Sequence, residues 1–171
     1  IEIINFIESL GVTNIISNNR KIIAPYELDI YLPDYNLAIE FNGIYWHSEL
    51  YKSKDYHIIK YNKCFTNNIH LMQIWEDDWN YKSDIIKSII SNKLKKNIIS
   101  IGARKCDIKE VSNLDSKKFL NDNHLQGWSI SKYRYGLYYN SELVSLITLS
   151  KGRKNLNGDD SHYELVRFCN K

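Results

Sequence analysis

Three cysteines in 171 residues, Cys64, Cys106 and Cys169, lie far apart and form no C-x-x-C pair, which excludes a disulfide framework and a cysteine zinc site. Reduced thiols in a cytosolic compartment are expected. No apolar run approaches the roughly 18 residues of a membrane span, and no charged-then-apolar leader pattern occurs in these residues. A soluble protein is expected. Internal repeats and low-complexity linkers are missing, and no glycine-rich loop able to cradle a pyrophosphate follows the last predicted strands. A strong charge of one sign is lacking too. The formal charge is +3, but residues 1–98 carry 11 Lys/Arg against 12 Asp/Glu, and residues 99–171 carry 12 against 8. The basic excess thus lies in the second part. By itself it fits a solvated surface as well as a nucleic-acid contact.

What is present is a folded composition. Hydrophobic residues make up 43% and charged residues 25% of a length that buries one ordinary core, or one compact domain plus part of a second. The sequence opens on Ile1 and closes two residues after "LVRFC", which reads as a piece of a longer protein. In "IEIINFIESLG" the spacing of Ile3, Phe6, Ile7 and Leu10 predicts an amphipathic helix stopping at Gly11. "KIIAPYELDIYLPDYNLAIEFNG" alternates apolar and polar residues around "PDYN", predicting a hairpin with strands at about 27–32 and 37–41. A helix over "SKDYHIIKYNKCFTNN", with apolar Tyr56, Ile59 and Phe65, leads to a strand in "IHLMQIWEDDW". A helix in "YKSDIIKSIISNKLKK" follows, with Ile85, Ile86, Ile89, Ile90 and Leu94 inward. A strand, a helix and a strand returning to one sheet imply a mixed α/β architecture with a right-handed crossover. Near residue 98, "KLKKNIIS" gains charge and loses its period, so the expected division is 1–98 and 99–171. In the second part a short helix closes at Gly127, "YRYGLYYNSELVSLITLSK" gives two strands joined at "YNSE", and "YELVRFCN" gives another.

Strand periodicity groups Glu27, Asp29 and Tyr31 on one face, and Ala38, Glu40 and Asn42 on one face of the next strand. Carboxylates so placed form either the wet face of a half-exposed sheet or a cation site. "LAIEF" reads as a central strand, where an acid costs energy unless it is paired or metal-bound. Phosphodiester hydrolysis needs a cation to neutralise developing charge, a positioned water and a group to handle protons. Magnesium suits it, binding few carboxylates and keeping waters for substrate. Asp29 and Glu40 are the candidate ligands, Asn42 could orient water or a phosphate oxygen, and His47 could carry a proton near neutral pH. Glu27 either assists or forms a salt bridge. Glu76, Asp77 and Asp78 either approach the cation or favour the start of the next helix.

"ELDIYLPDYNLAIEFNGIYWH" resembles the active-site hairpin of the very-short-patch-repair type endonucleases and their homing-endonuclease relatives, within the PD-(D/E)XK superfamily. The likeness covers roughly residues 1–96. Asp29 matches the first metal-binding aspartate, Glu40-Phe41-Asn42 falls where the (D/E)-x-K element belongs, and His47 in "GIYWH" matches a histidine of the mismatch-repair branch. Glu2 matches a helix-borne glutamate that some members turn toward the metal. Asn42 stands where the motif lysine belongs, so its role passes to another residue, His47 or Lys60 on the following helix. "HSELY" lacks the structural zinc ligands of the mismatch-repair enzyme, which favours the homing branch typical of phages and mobile introns. The resemblance implies a restriction-endonuclease-like α/β core: helix, mixed sheet, crossover helix and strand. It also implies an Mg²⁺-dependent endodeoxyribonuclease, with Mn²⁺ as substitute, that cuts double-stranded DNA and leaves a 5′-phosphate.

Residues 99–171 form a smaller, truncated α+β segment by this reading, and "FLNDNHLQG", "YGLYYNSELVSLITLSK" and "YELVRFCNK" resemble the opening half of an acetyltransferase-like fold. Lys151, Arg153 and Lys154 in "SKGRKN" either contact DNA phosphates or form a solvated turn. Two readings stand beside the nuclease. One is a catalytically silent DNA-binding module; the other is an acyltransferase-like modifier of nucleic acid, its activity in the C-terminal part.

Overall fold

The computed structural model describes residues 2–43, 55–96, 100–152 and 162–171. The chain divides into two compact units, Ile1–Asn97 and Ile98–Lys171, each with its own four-stranded sheet. The fold class is α/β, and no helix among the described residues is long and apolar enough to cross a membrane.

The first unit runs α1 (Glu2–Ser9), β1 (Ile16–Asn19), β2 (Leu28–Leu32), β3 (Leu37–Asn42), α2 (Tyr56–Thr66), β4 (His70–Trp75) and α3 (Glu76–Lys93). Its sheet order is β1-β2-β3-β4, antiparallel except for the parallel pair β3–β4, which α2 connects. β2 alternates buried and half-buried residues, whereas β3 buries every residue except Phe41. That near-continuous burial marks β3 as the central strand covered on both faces. Between them Pro33–Tyr35 forms a 3₁₀ turn, and Asn36 reverses the chain at φ 47°, a left-handed conformation that asparagine tolerates. Cys64 of α2 joins Ala38, Leu71 and Leu28 in one core cluster. α3 bends at Lys82 and buries Ile86 and Ile90, with Leu94 buried just beyond; Ile85 and Ile89 are half-buried.

The second unit runs β5 (Asp107–Glu110), α4 (Asn113–Asn123), β6 (Tyr133–Tyr139), β7 (Glu142–Lys151) and β8 (Tyr163–Asn170), in an antiparallel sheet of order β5-β6-β7-β8. Ser112 caps α4 by accepting from the Asp115 N–H at 3.0 Å and donating to the Asp115 carboxylate at 2.7 Å. The helix ends at Asn123, ahead of the expected stop at Gly127, because the His124 backbone turns extended. Phe119 and Leu120 pack with Val111 and Leu146. A Cβ at Gly136 would stand 2.3 Å from Leu143 Cδ1 and 2.8 Å from Val111 Cγ2. Gly136→Ala therefore overpacks this core and lowers stability by about 1–3 kcal/mol, read as a fall in the urea midpoint.

Candidate active site

The β2–β3 ladder runs from Leu32–Leu37 to Ile30–Ile39, and the next pair in that register is Asp29 with Glu40. There the side chains take over the pairing. The Asp29 N–H donates to Glu40 Oε1 at 3.2 Å, and the Phe41 N–H donates to Asp29 Oδ2 at 2.9 Å. Each carboxylate thus satisfies a backbone donor of the neighbouring strand, which fixes its position. Asp29 is half-buried, while Glu40 is 6% exposed.

Lys60 comes in from α2. At 3% exposed, it donates through Nζ to Glu40 Oε2, with the Tyr56 ring centroid 5.8 Å away. Burial pushes the Glu40 carboxyl above the ordinary carboxylate range; the hydrogen bond from Lys60 opposes that shift and the Asp29 charge adds to it. One turn along α2, the Cys64 thiol is raised mainly by burial and further by the Glu40 charge, which keeps it protonated as a packing residue. Asn42 is buried beyond Glu40 on β3, its Nδ2 lying 3.5 Å from Gln73 Oε1. Gln73 is the register partner of Glu40 on β4.

Four candidates therefore gather around the end of β3: Asp29, Glu40, Asn42 and Lys60. Glu2 lies on α1 and accepts from Trp79 Nε1 at 2.8 Å. Glu27 forms an ion pair with the exposed Arg20 at 2.5 Å, the salt-bridge alternative. Glu76, Asp77 and Asp78 make the first turn of α3, where negative charge is favourable. His47, Arg153 and Lys154 lie outside the described residues. Lys151 ends β7 opposite Tyr163 in the second unit.

Gln73 is absent from the sequence-based candidates, and its one signal in the sequence is a polar residue inside the apolar "LMQIW". The outward side of α2 also departs from the apolar pattern, because Phe65 is 72% exposed while Lys60 faces the core. Among the described residues no group of three or more His, Cys, Asp and Glu side chains is placed to hold a metal ion. Two carboxylates and an amide are hard oxygen donors, however, and Asp29 Oδ1 makes no hydrogen bond among the described residues. This donor set fits a cation that keeps most of its waters and uses one or two carboxylates.

No family model matches the chain, and no curated protein matches it. Among solved structures, it is similar to the catalytic domain of the homing endonuclease I-Bth0305I, with 21% identity, a TM-score of 0.46, and coverage of 57% of this chain and 93% of that chain.

Proposed function

We propose that the chain is a metal-dependent DNA endonuclease of the PD-(D/E)XK type, in the homing-endonuclease branch, cutting phosphodiester bonds in double-stranded DNA. The observation that carries this reading is the Lys60–Glu40 pair beside Asp29, on a buried strand end. A half-exposed structural sheet would leave such acids in water, and a plain core would not hold them. Asp29 and Glu40 would hold Mg²⁺, or Mn²⁺ in its place. When bound, the cation supplies neutralisation of the phosphate charge and a more acidic water.

Lys60 takes the part of the lysine that Asn42 displaces from the motif. Its ammonium reaches Glu40 from a helix instead of from the strand, so the charge arrives at the same carboxylate by another route. Asn42 would orient the water or a phosphate oxygen, and His47 would carry a proton. Glu2 keeps a second carboxylate oxygen beyond its bond to Trp79, consistent with the helix-borne glutamate of the resemblance. Lys151, with Arg153 and Lys154, would hold DNA phosphates without reading bases.

Supercoiled plasmid incubated with the chain tests this directly. Nicking or linearisation in Mg²⁺ and Mn²⁺, abolished by EDTA, is the expected result. DNA left intact in both metals, with salt-sensitive binding retained, would instead make the chain a silent DNA-binding module.

A further inference from the structure

Away from the carboxylates, the first unit holds an open cleft of about 420 Å³ at the N-terminal end of β4. Tyr35 and Asn36 of the hairpin turn, Tyr61 and Phe65 of α2, and Asn68 and His70 beyond α2 line it. Its floor is continuous with the hydrophobic core, because Ile69 and Leu71 belong to the buried core cluster. His70 precedes Gln73, the register partner of Glu40, by three residues, which places the cleft about 10 Å along β4 from the carboxylates.

The lining has a particular chemistry. Tyr61 and Phe65 sit one helical turn apart, 49% and 72% exposed, with ring planes within 16° of parallel and centroids 6.5 Å apart. Asn36 and Asn68, which line the same cleft, both stand at positive φ, 47° and 57°. Among the described residues their carboxamides make no hydrogen bond, and neither do the Tyr35 and Tyr61 hydroxyls. His70 is solvent-exposed, yet the partial desolvation it does suffer, and then the Lys93 ammonium whose Nζ lies 3.0 Å from its Nε2, shift its pKa downward. The lining holds no carboxylate, lysine or arginine, so it offers no ligand set for a divalent cation, and the nearby Lys93 ammonium lies against His70. Flat aromatic faces with uncommitted donors and acceptors at the edge match a planar heterocycle that carries both on its rim.

We propose that this cleft binds a nucleobase, stacked on Tyr61 and Phe65 and hydrogen-bonded at its edge by Asn36 and Asn68. The base could belong to a free nucleotide or be an unpaired base of a nucleic-acid strand. The inference goes beyond the nuclease reading, and none of the lining residues is among the proposed metal ligands, so either can fail without the other.

The test titrates the full chain in EDTA with each of the four deoxynucleoside monophosphates, with a short single-stranded oligonucleotide and with its duplex, followed by calorimetry and side-chain NMR shifts. Phe65→Ala should retain the fold, because the side chain is largely in solvent. It should weaken binding about tenfold or more, and Phe65→Trp should restore it. Monophosphate binding with that variant pattern identifies a free-nucleotide site, and the pattern seen only with the single strand identifies an unpaired base. No saturable binding of either ligand, or affinities unchanged in Phe65→Ala, overturns the proposal.

Discussion

If the proposed site is right, Asp29→Asn and Glu40→Gln are each expected to lower Mg²⁺-dependent cleavage of plasmid DNA by more than about a hundredfold, since loss of a direct ligand should exceed the 10- to 100-fold cost of disturbing an outer-shell partner. Their effects on the fold differ. An amide oxygen at position 29 still accepts from the Phe41 N–H, so Asp29→Asn keeps both the strand contact and the melting temperature. Gln at 40 still accepts from the Asp29 N–H but leaves the Lys60 ammonium buried without a counter-charge. Glu40→Gln therefore loses stability as well as rate, and Asp29→Asn is the cleaner probe of chemistry. Single-turnover cleavage beside thermal unfolding makes the comparison. If both variants keep more than about a tenth of the wild-type rate, the two carboxylates are not the metal ligands.

Lys60→Met carries the second large effect, in stability and with a distinctive pH dependence. Removing one partner of a buried ion pair leaves an uncompensated charge, at a cost of about 3–5 kcal/mol. That cost falls due only while Glu40 is ionised. Burial already holds the Glu40 carboxyl above its ordinary range, and removing Lys60 takes away two of the three influences that lower it, leaving the hydrogen bond from the Asp29 N–H. A carboxyl raised in the folded state contributes stability that is complete below its unfolded value and lost as pH rises through the folded value. The deficit of Lys60→Met is thus small in mild acid and grows through the raised Glu40 range toward pH 8. The double variant Lys60→Met/Glu40→Gln, neutral and similar in volume, recovers to within about 1 kcal/mol of the parent at pH 8. Urea unfolding at both pH values reads these differences; a deficit independent of pH would mean that the lysine acts through packing alone.

The elements that sequence alone makes legible are those whose burial follows one period. α1 and α3 are placed by their isoleucines, and the β2–β3 hairpin by alternation around "PDYN". β1 and β5 escape notice for a physical reason: "ISNN" and "DIKE" are edge strands, held by ladder hydrogen bonds with little apolar burial, so no hydrophobic pattern announces them. The placement of Asp29 and Glu40 on one face follows from a period of two. Lys60 is harder, because its burial is a tertiary fact. In "YHIIKYNKCFT" the aromatic and aliphatic residues outnumber the lysines, yet Ile58, Tyr61 and Phe65 face solvent while Lys60 turns inward to a carboxylate supplied by another element. Helical periodicity ranks faces by hydrophobicity and has no means of counting a counter-charge across the core.

Asp29 and Glu40 close the last rung of the hairpin with the same side chains that are proposed to do the chemistry. The two roles share atoms, so they are linked as ligand binding and local opening are linked. Whatever draws either carboxylate away must loosen an amide on the opposite strand, and a tightly paired rung must in turn hold the carboxylates ready. The N–H groups of Asp29 and Phe41 are thus a built-in gauge of the site: their hydrogen-exchange rates register what occupies the carboxylates with no DNA present and no bond cut.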